Sequence, residues 1–279
     1  MMPITLTLIR HGESESNAAE SAYENKQTLK GTYEVAKVHT SERRLTKLGV
    51  CESKEAGKWL RKWKHEIGLY DSQFRFYVSP YVRAAETATN MGLGMSTKWR
   101  MDVRVVERNW GFMDQESYDG RMEQYKDQFR LRKEFAFFWR PGDGETIQDV
   151  HMRVRDFIKT LHRECSNMHV IVVTHGETMW AFRFLLEHWL PQDLRAAMLN
   201  RTGQTDLHNC RIIQYTRIPV CESRPRIDMY PRMKYMRMVN PMKPNDPEHN
   251  LPWTEIGRKD YSDADLAEYV DKHPRFLCI

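Results

Sequence analysis

ITLTLIRHGE, residues 4–13, is the most informative segment of the chain. Residues 4–9 form a short run of β-branched and apolar side chains, which predicts a buried β-strand. An arginine, a histidine, a glycine and a glutamate follow without a break, so charged groups stand directly beyond the carboxyl end of this strand. The arrangement is typical of an α/β sheet, in which ligands bind beyond the carboxyl ends of the strands.

Two more predicted strands run into charged motifs in the same way. FRFYV at residues 74–78 is followed by SPYVR, and HVIVV at residues 169–173 is followed by THGE. Patterns between and beyond these strands predict helices over residues 45–64, 81–91 and 146–165. Alternating strands and helices predict an α/β fold, a three-layer sandwich with a mainly parallel central sheet flanked by helices. In such a sheet we expect the three charged motifs to meet at one edge.

Other segments before residue 217 give weaker patterns. Polar residues 17–44 show little periodicity and predict a long loop or lid over the ligand site. Residues 104–106 predict a short strand, residues 117–139 a charged helix rich in aromatic side chains, and residues 210–215 a last strand.

The composition of the chain changes at about residue 216. Residues 1–216 hold the alternating pattern and are predicted to form one domain, whereas residues 217–279 are rich in proline and methionine. We interpret residues 217–279 as an extended C-terminal arm with a short terminal helix near residues 263–272. The arm is a candidate for contacts within a homodimer.

The composition of the 279 residues argues against several classes of protein. With 41% hydrophobic and 29% charged residues, the chain can bury a core and is not expected to be disordered. No run of about 18 apolar residues occurs, and the first residues do not resemble a signal peptide, so no membrane partner is expected. The five cysteines are odd in number and form no C-x-x-C pair, which argues against a disulfide framework and a structural zinc site. These features favour a cytoplasmic location.

Charge and spacing indicate the kind of ligand. The net charge of +5 favours an anionic molecule, and no block of basic residues with interleaved aromatic residues suggests nucleic acid. Histidines and carboxylates show no H-E-x-x-H or similar spacing, so no metal and no other cofactor is expected. The predicted partner is a small anionic molecule.

The histidine of the first motif, His11, has the setting of a nucleophile for phosphoryl groups. A neutral imidazole can attack phosphorus and form phosphohistidine if its other ring nitrogen donates to a fixed acceptor. The phosphoryl group carries close to two negative charges, and an arginine such as Arg10 can pair with two of its oxygens at once. The alternative interpretation is a histidine at a strand end with satisfied hydrogen bonds and no chemical role.

These motifs together resemble the histidine phosphatase superfamily, whose founding members are the cofactor-dependent phosphoglycerate mutases. The resemblance begins with RHG at residues 10–12, together with Glu13 and Asn17, and covers residues 4–216. The further matching segments, in the family's order, are LTKLG (45–49), VSPYVRAAETA (78–88), ERNWG (107–111) and VTHG (173–176). The plant and fungal phosphoglycerate-mutase-like proteins are the most similar, through YVSPY (77–81), FFWRP (137–141) with GET (144–146), and the pair Asn209-Cys210.

The resemblance implies a role for each matching residue. His11 would be the nucleophile, and Glu107 would protonate the leaving oxygen and then activate water, because an alkoxide leaves poorly without a proton. The phosphate pocket would be formed by Arg10, Asn17, Arg83 and His175, with His175 as a protonated donor. Each role has a structural alternative: Arg83 and Glu107 could be surface residues, and Asn17 could simply cap the following helix.

Three functions are compatible with these residues. The leading hypothesis is a phosphatase that hydrolyses a small anionic phosphate ester through phosphohistidine, with arginines in place of the magnesium used by other phosphoryl-transfer enzymes. The second is a phosphomutase of the phosphoglycerate type. The mutases usually follow the glutamate with Arg-His-Tyr-Gly, whereas this chain has RNWG at residues 108–111, which favours hydrolysis. The third is a non-catalytic module that binds a phosphorylated ligand.

Overall fold

Seven strands form a central sheet in the part of the chain that the structure describes. The computed structural model describes residues 1–68, 70–94, 97–200, 202, 205–218, 230–247 and 250–273. In chain order the strands are β1 (Thr5–Arg10), β2 (Phe74–Val78), β3 (Trp99–Met101), β4 (His169–Thr174), β5 (Ile212–Thr216), β6 (Tyr235–Val239) and β7 (Thr254–Glu255). They lie side by side in the order β3-β2-β4-β1-β5-β6-β7.

Most strands of the sheet point in one direction. β4 lies between β1 and β2 and is parallel to both, and β3 is parallel to β2. β5 is antiparallel to β1, and β6 and β7 are each antiparallel to the strand before them. β1, β2, β3, β4 and β6 therefore share one direction, and the predicted α/β fold with a mainly parallel sheet is confirmed.

Helices cover both faces of the sheet. Among the described residues they are α1 (Glu15–Glu24), α2 (Thr32–Lys37), α3 (Lys47–Glu66), α4 (Val82–Asn90), α5 (Tyr118–Gln124), α6 (Lys126–Glu134), α7 (Ile147–Glu164), α8 (Gly176–Leu186), α9 (Pro191–Leu199) and α10 (Asp263–Asp271). One core packs the sheet against α7, α8 and α9, and the other packs it against α3 and α4. The three layers of the predicted sandwich are present.

Strand β4 shows why the central strands have a strong sequence signal. All six of its residues are buried. Successive side chains of a strand point to opposite faces, so Val170 and Val172 join one core while Ile171 and Val173 join the other. A parallel strand covered on both faces is therefore apolar without alternation.

Helices α3 and α4 approach each other closely at Gly57. A Cβ atom on Gly57 would lie 1.9 Å from the carbonyl oxygen of Met91, the residue that ends α4. Only glycine fits this contact, which fixes α4 and its first-turn residue Arg83 against α3.

Residues 17–44 are not one long loop, contrary to the prediction. They contain most of α1 and all of α2. Helix α1 begins with a capping box, in which Ser14 Oγ accepts from the Asn17 N–H and Asn17 Oδ1 accepts from the Ser14 N–H. Ala22 is the only buried residue of α1, so no apolar stripe marks the helix in the sequence.

The predicted strand at residues 104–106 is also wrong. A 3-10 turn occupies Val103–Val105, and strand β3 ends just before it. The Asp102 side chain accepts a hydrogen bond from the Arg104 N–H at 2.9 Å, which favours a turn at this point.

The helix predicted over residues 117–139 is divided in two. Helices α5 and α6 meet at Tyr125, whose φ of −114° and ψ of 25° leave helical geometry. Helix α6 ends at Glu134, so residues 135–139 lie outside it.

Part of the predicted C-terminal arm belongs to the sheet. Strand β6 pairs with the whole of β5, from Ile212 opposite Val239 to Thr216 opposite Tyr235, and β7 adds two residues beyond it. Helix α10 follows, with all of its side chains exposed. The domain boundary between residues 216 and 217 stays a prediction.

The cysteines within the described residues are free thiols. They are Cys51, Cys165 and Cys210, whereas Cys221 and Cys278 lie outside the described residues. Across the described ranges, no group of three or more His, Cys, Asp or Glu side chains is arranged to hold a metal ion. No helix in these same ranges is long and apolar enough to cross a bilayer.

Candidate active site

The carboxyl ends of β1, β2 and β4 bring the three charged motifs together. Arg10 at the end of β1 lies beside Thr174 at the end of β4. The His11 N–H donates to the Thr174 carbonyl, and the Ser79 N–H donates to the Val173 carbonyl, both at 3.0 Å. The motifs that follow these strands therefore meet at one edge of the sheet, as the parallel register requires.

The turn after His11 packs tightly against the start of α3. A Cβ atom on Gly12 would lie 2.4 Å from the carbonyl oxygen of Gly49. The Gly12 N–H donates to Thr87 Oγ1 of α4 at 3.0 Å. The glycines of the RHG and LTKLG segments thus allow α3 and α4 to hold the turn that carries His11.

His11 is a neutral imidazole with a defined tautomer. Its Nδ1 lies 2.7 Å from the Gly12 carbonyl oxygen, which can only accept, so Nδ1 carries the proton. Its Nε2 accepts a hydrogen bond from Nε of Arg83 at 3.1 Å. Burial, followed by the positive charges of Arg83 and Arg10, lowers the pKa of His11 well below its ordinary value. The ring nitrogen with a lone pair, Nε2, is the one that faces a cation.

Arg83 is buried in the first turn of α4. Its Nη1 donates to the Thr40 carbonyl, and its guanidinium carbon lies 5.0 Å from the centre of the Tyr81 ring. Burial lowers the pKa of Arg83 to about 10, with the negative charge of Glu107 opposing this effect. The guanidinium is still charged at neutral pH, so a fixed cation stands next to His11.

His175 is fully buried next to His11, with 5.0 Å between the two ring centres. Its Nε2 lies 2.7 Å from Ser79 Oγ, and its Nδ1 has no hydrogen-bond partner among the described residues. Burial, followed by the charge of Arg83, lowers the pKa of His175 well below its ordinary value. The structure therefore favours a neutral His175 over the protonated donor that the resemblance implied. A neutral imidazole still has one N–H to donate.

Arg10 and Asn17 both line the cavity next to the His11 turn. Arg10 Nη1 donates to the Leu207 carbonyl at 2.5 Å. Asn17 does cap α1, because its Oδ1 accepts from the N–H and Oγ of Ser14 and also from Nδ2 of Asn209 at 3.0 Å. The Nδ2 group of the Asn17 amide carries its two N–H donors and can donate to a ligand.

Glu107 lies on a loop that α7 holds in place. Its Oε1 accepts from the Arg108 N–H at 3.0 Å, and its carbonyl accepts from Arg153 Nη2 of α7 at 3.2 Å. Burial, followed by the negative charge of Glu177, raises the pKa of Glu107, with Arg83 opposing the shift. A carboxyl with a raised pKa keeps the proton that a general acid must deliver.

A cavity of about 520 Å³ lies at this edge of the sheet. The predicted residues that line it are Arg10, His11, Asn17, Arg83 and Glu107, and the buried His175 does not line it. The rest of the wall includes basic, acidic and aromatic side chains, among them Arg132, Glu177, Asp114, Trp110 and Trp180. The structure thus places five of the six predicted residues on one cavity, and the sixth, His175, is buried beside His11.

Four cavity residues were missed by the sequence reasoning. Asn209 Nδ2 donates to the carbonyl of His11 at 3.2 Å. Arg108 is fully buried and donates to the Glu177 carboxylate at 2.8 Å, and Arg132 donates to the other oxygen of the same carboxylate. Asn209, Arg108 and Glu177 stand in quoted segments, a signal that could have found them, whereas Arg132 lies in a charged helix with nothing to distinguish it.

This fold and site define the class of protein. The family model of the histidine phosphatase superfamily (branch 1) matches residues 6–217. The chain therefore belongs to the histidine phosphatase superfamily, whose members are phosphatases or phosphoglycerate mutase-like phosphoryl transferases.

Particular relatives agree with this assignment and confirm the resemblance noted in the sequence. A phosphoglycerate mutase-like protein of Arabidopsis thaliana is 30% identical over 201 residues, which cover 65% of this chain and 65% of the relative. A probable fructose-2,6-bisphosphatase of Danio rerio is 25% identical over 182 residues, which cover 64% of this chain and 61% of the relative. The matches thus span slightly less than two thirds of the length of these relatives.

A solved structure shows the same fold. The mycobacterial glucosyl-3-phosphoglycerate phosphatase in complex with VO3 aligns with a TM-score of 0.58 at 20% sequence identity. The alignment covers 76% of this chain and 92% of the mycobacterial chain.

Proposed function

We propose that this chain is a phosphatase that hydrolyses a small anionic phosphate ester through a phosphohistidine at His11. One observation carries the proposal. The neutral imidazole of His11 has its Nδ1 proton bound by the Gly12 carbonyl and its Nε2 at 3.1 Å from the Arg83 guanidinium, in a cavity that Glu107 also lines.

In the first step the Nε2 lone pair of His11 attacks phosphorus and the bond from phosphorus to the ester oxygen breaks. The proton of Glu107 passes to that oxygen, so an alcohol leaves and Glu107 becomes a carboxylate. The Gly12 carbonyl stabilises the positive charge that develops on the imidazole, because it keeps the Nδ1–H bonded throughout. Arg10 and Arg83 pair with the phosphoryl oxygens, and Asn17 and His175 add neutral donors.

In the second step the Glu107 carboxylate takes a proton from water while the water oxygen attacks the phosphorus of phosphohistidine. The phosphorus–nitrogen bond breaks, inorganic phosphate forms, and the electron pair returns to Nε2 of His11. Both residues are then in their starting protonation states, so the cycle is complete.

We propose that the reaction needs neither a metal nor another cofactor, because Arg10 and Arg83 supply the positive charge that magnesium supplies in other phosphoryl-transfer enzymes. A chelator should therefore leave the rate unchanged.

We also propose that residues 1–216 are the catalytic domain, that residues 217–279 are an extension of it, and that the protein acts in the cytoplasm. A homodimer through the extension is tested by light scattering.

Trapping of the phosphoenzyme tests the proposed function. Rapid quench into alkaline detergent during turnover of a radiolabelled aryl phosphate should leave acid-labile, base-stable label on the protein, and His11→Asn should abolish both label and phosphate release. The matched control is His169→Gln, because His169 is a buried histidine on the same sheet but distant from the cavity. Label that survives in His11→Asn would refute the proposal.

A phosphomutase of the phosphoglycerate type is the second candidate, favoured by the identity to a phosphoglycerate mutase-like protein. Incubation with 3-phosphoglycerate and a trace of 2,3-bisphosphoglycerate separates the two functions. Isomerisation without release of phosphate would establish the mutase, whereas phosphate release alone would establish the phosphatase. A chain that binds phosphate esters but turns over neither substrate nor aryl phosphate would be the non-catalytic module.

A further inference from the structure

Arg153 of α7 uses all of its N–H donors on oxygens of the protein, most of them around Glu107. Its Nη1 donates to the carbonyls of Arg104 and Val106 at 2.8 and 2.9 Å, and its Nη2 donates to the Glu107 carbonyl at 3.2 Å. Its Nε and Nη2 donate to the two carboxylate oxygens of Glu145 at 2.9 and 3.0 Å. A guanidinium has five N–H groups, so each of them has an acceptor here.

Glu145 holds the guanidinium of Arg153 in this orientation. The two bonds form a bidentate pair of one carboxylate with one guanidinium, the geometry that restricts both groups most. The Glu145 backbone is bonded to the residues after Glu107 as well, because its N–H donates to the Asn109 carbonyl at 2.8 Å and its carbonyl accepts from Arg108 Nε at 2.6 Å. The Asn109 N–H also donates to Glu145 Oε2 at 2.9 Å.

The carboxyl group of Glu107 has few contacts of its own, so its position follows the backbone. Its Oε1 accepts from the Arg108 N–H at 3.0 Å, and Thr178 Oγ1 lies 3.5 Å from the same oxygen. Thr178 has one hydroxyl proton, and the Val106 carbonyl is the nearer acceptor at 2.6 Å. The carboxyl therefore goes where the backbone of residues 106–108 is held.

A second arginine, Arg104, joins the same segment to α7 at another point. Its Nη1 donates to Asp156 and Thr160 of α7 at 2.7 and 2.8 Å, and its Nε donates to Asp102 at 3.0 Å. These contacts hold the turn at Val103–Val105, which precedes Glu107.

We propose that Arg153, oriented by Glu145, is a positioning residue for the general acid: its bonds to the carbonyls of residues 104, 106 and 107 hold the Glu107 carboxyl within hydrogen-bond distance of the leaving oxygen. Arg153 does not line the cavity and acts through Glu107. The inference rests on the proposed phosphatase function. A displacement of about 1 Å at a catalytic group can cost about 100-fold in rate, so a fixed backbone at Glu107 matters for proton transfer.

The test compares phenyl phosphate with 4-nitrophenyl phosphate, two aryl esters of similar shape. Arg153→Lys keeps the positive charge but has three donors instead of five. Its kcat/KM, which reports the steps up to phosphohistidine, should fall about tenfold more for phenyl phosphate than for 4-nitrophenyl phosphate, because nitrophenolate leaves without the proton of Glu107. A general structural defect would lower kcat/KM for both esters alike.

A double variant tests whether Arg153 acts through Glu107. Adding Arg153→Lys to Glu107→Gln should lower kcat/KM for phenyl phosphate by less than about twofold, because the positioned acid is already absent. A further loss of about tenfold in the double variant would refute the inference. Arg155→Lys is the matched control, since Arg155 is an exposed arginine of the same helix and should leave the ratio of the two esters unchanged.

Glu145→Gln keeps the inference testable if Arg153→Lys does not fold. Glutamine presents one oxygen in place of two, so the bidentate pair is lost while Arg153 remains. We expect the same selective loss of activity on phenyl phosphate, by about threefold or more relative to 4-nitrophenyl phosphate. Thermal unfolding of each variant shows whether it is folded at the temperature of the assay.

The outcomes separate this inference from the proposed function. Equal losses on the two esters in Arg153→Lys and Glu145→Gln, or wild-type ratios in both, would refute the role of Arg153 and leave the phosphatase standing. Turnover of neither ester by wild-type protein would refute both.

Discussion

Nε of Arg83 lies 3.1 Å from Nε2 of His11, so a buried cation and the candidate nucleophile are in direct hydrogen-bond contact. His11 follows the carboxyl end of β1 and Arg83 follows that of β2, and the parallel register of both strands with β4 places these ends side by side. A phosphoryl group that binds between them would meet the attacking nitrogen and its counter-charge at once.

Replacing Arg83 by lysine should lower kcat/KM for phenyl phosphate by about 100-fold, although the charge is kept. Lysine is a point charge and cannot pair with two phosphoryl oxygens as the guanidinium fork does. Steady-state kinetics measure the effect. Arg44→Lys is the matched control, because Arg44 is an exposed arginine paired with Glu86 outside the cavity. Wild-type kcat/KM in Arg83→Lys would contradict the role.

Replacing Glu107 by glutamine should slow esters with poor leaving groups much more than esters with good ones. An alkyl phosphate should lose about 100-fold or more in kcat/KM, since its alkoxide needs the proton of Glu107. 4-Nitrophenyl phosphate should lose far less in its first step, because nitrophenolate leaves without a proton. Equal losses for both esters would show that Glu107 is not the general acid.

Glu177→Gln should change the pH dependence. The negative charge of Glu177 raises the pKa of Glu107, so removing that charge lowers the pKa. Glu107 must be protonated for the first step, and the alkaline limb of kcat/KM for an alkyl phosphate should therefore move to lower pH. A limb at the wild-type position, measured in a buffer series of constant ionic strength, would mean that another group controls it.

His169 should make the protein less stable in acid. Burial lowers the pKa of His169 to about 4, below the value of about 6.5 in an unfolded chain. The unfolded chain therefore binds more protons than the folded chain as the pH falls. The free energy of unfolding declines below about pH 6.5, and the full contribution of about 3 kcal/mol is lost below about pH 4.

His169→Gln should flatten the dependence of the free energy of unfolding on pH between about pH 7 and about pH 5, measured by urea denaturation. Gln can keep the hydrogen bond that Thr5 Oγ1 shares with His169 Nδ1 at 2.8 Å. His162→Gln at an exposed histidine should leave the slope as it is in the wild type. An unchanged slope in His169→Gln would exclude His169 as its source.

Gly57→Ala should lower the free energy of unfolding by about 1–3 kcal/mol, because the new Cβ would meet the Met91 carbonyl and force α3 and α4 apart. Gly257→Ala is the control, since a Cβ there meets nothing within 4 Å. Thermal unfolding at matched protein concentration measures both, and an equally stable Gly57→Ala protein would show that the two helices can move.

The sequence predicts those strands and helices whose pattern lies within one short segment of the chain. Strands β1, β2 and β4 are short, largely apolar runs with charged motifs at or just beyond their carboxyl ends, and buried parallel strands are mostly apolar, so pattern and structure coincide. Helix α1 escaped prediction because its start depends on the Ser14 capping box and not on an apolar stripe. The turn at Val103–Val105 escaped it because one side-chain contact of Asp102 outweighs β-propensity.

The residues of the active site also fall into two groups, those that the sequence predicts and those that it does not. His11 and His175 each follow a predicted strand, and parallel strands place such residues side by side. The contacts of Glu177 with Arg108 and Arg132 join residues 69 and 45 positions apart in the chain, and no spacing rule connects them. Such contacts depend on how loops and helices pack above the sheet, which the sequence pattern does not encode.

The outermost strands of the sheet are its shortest. β3 has three residues and β7 has two, and Lys234 pairs with Glu255 beside the latter. Short, charged margins offer a neighbouring molecule too few unpaired backbone groups to extend the sheet from one chain into the next. Contact between molecules at the β3 or β7 margin of the described sheet should therefore use side-chain surfaces and not shared strands.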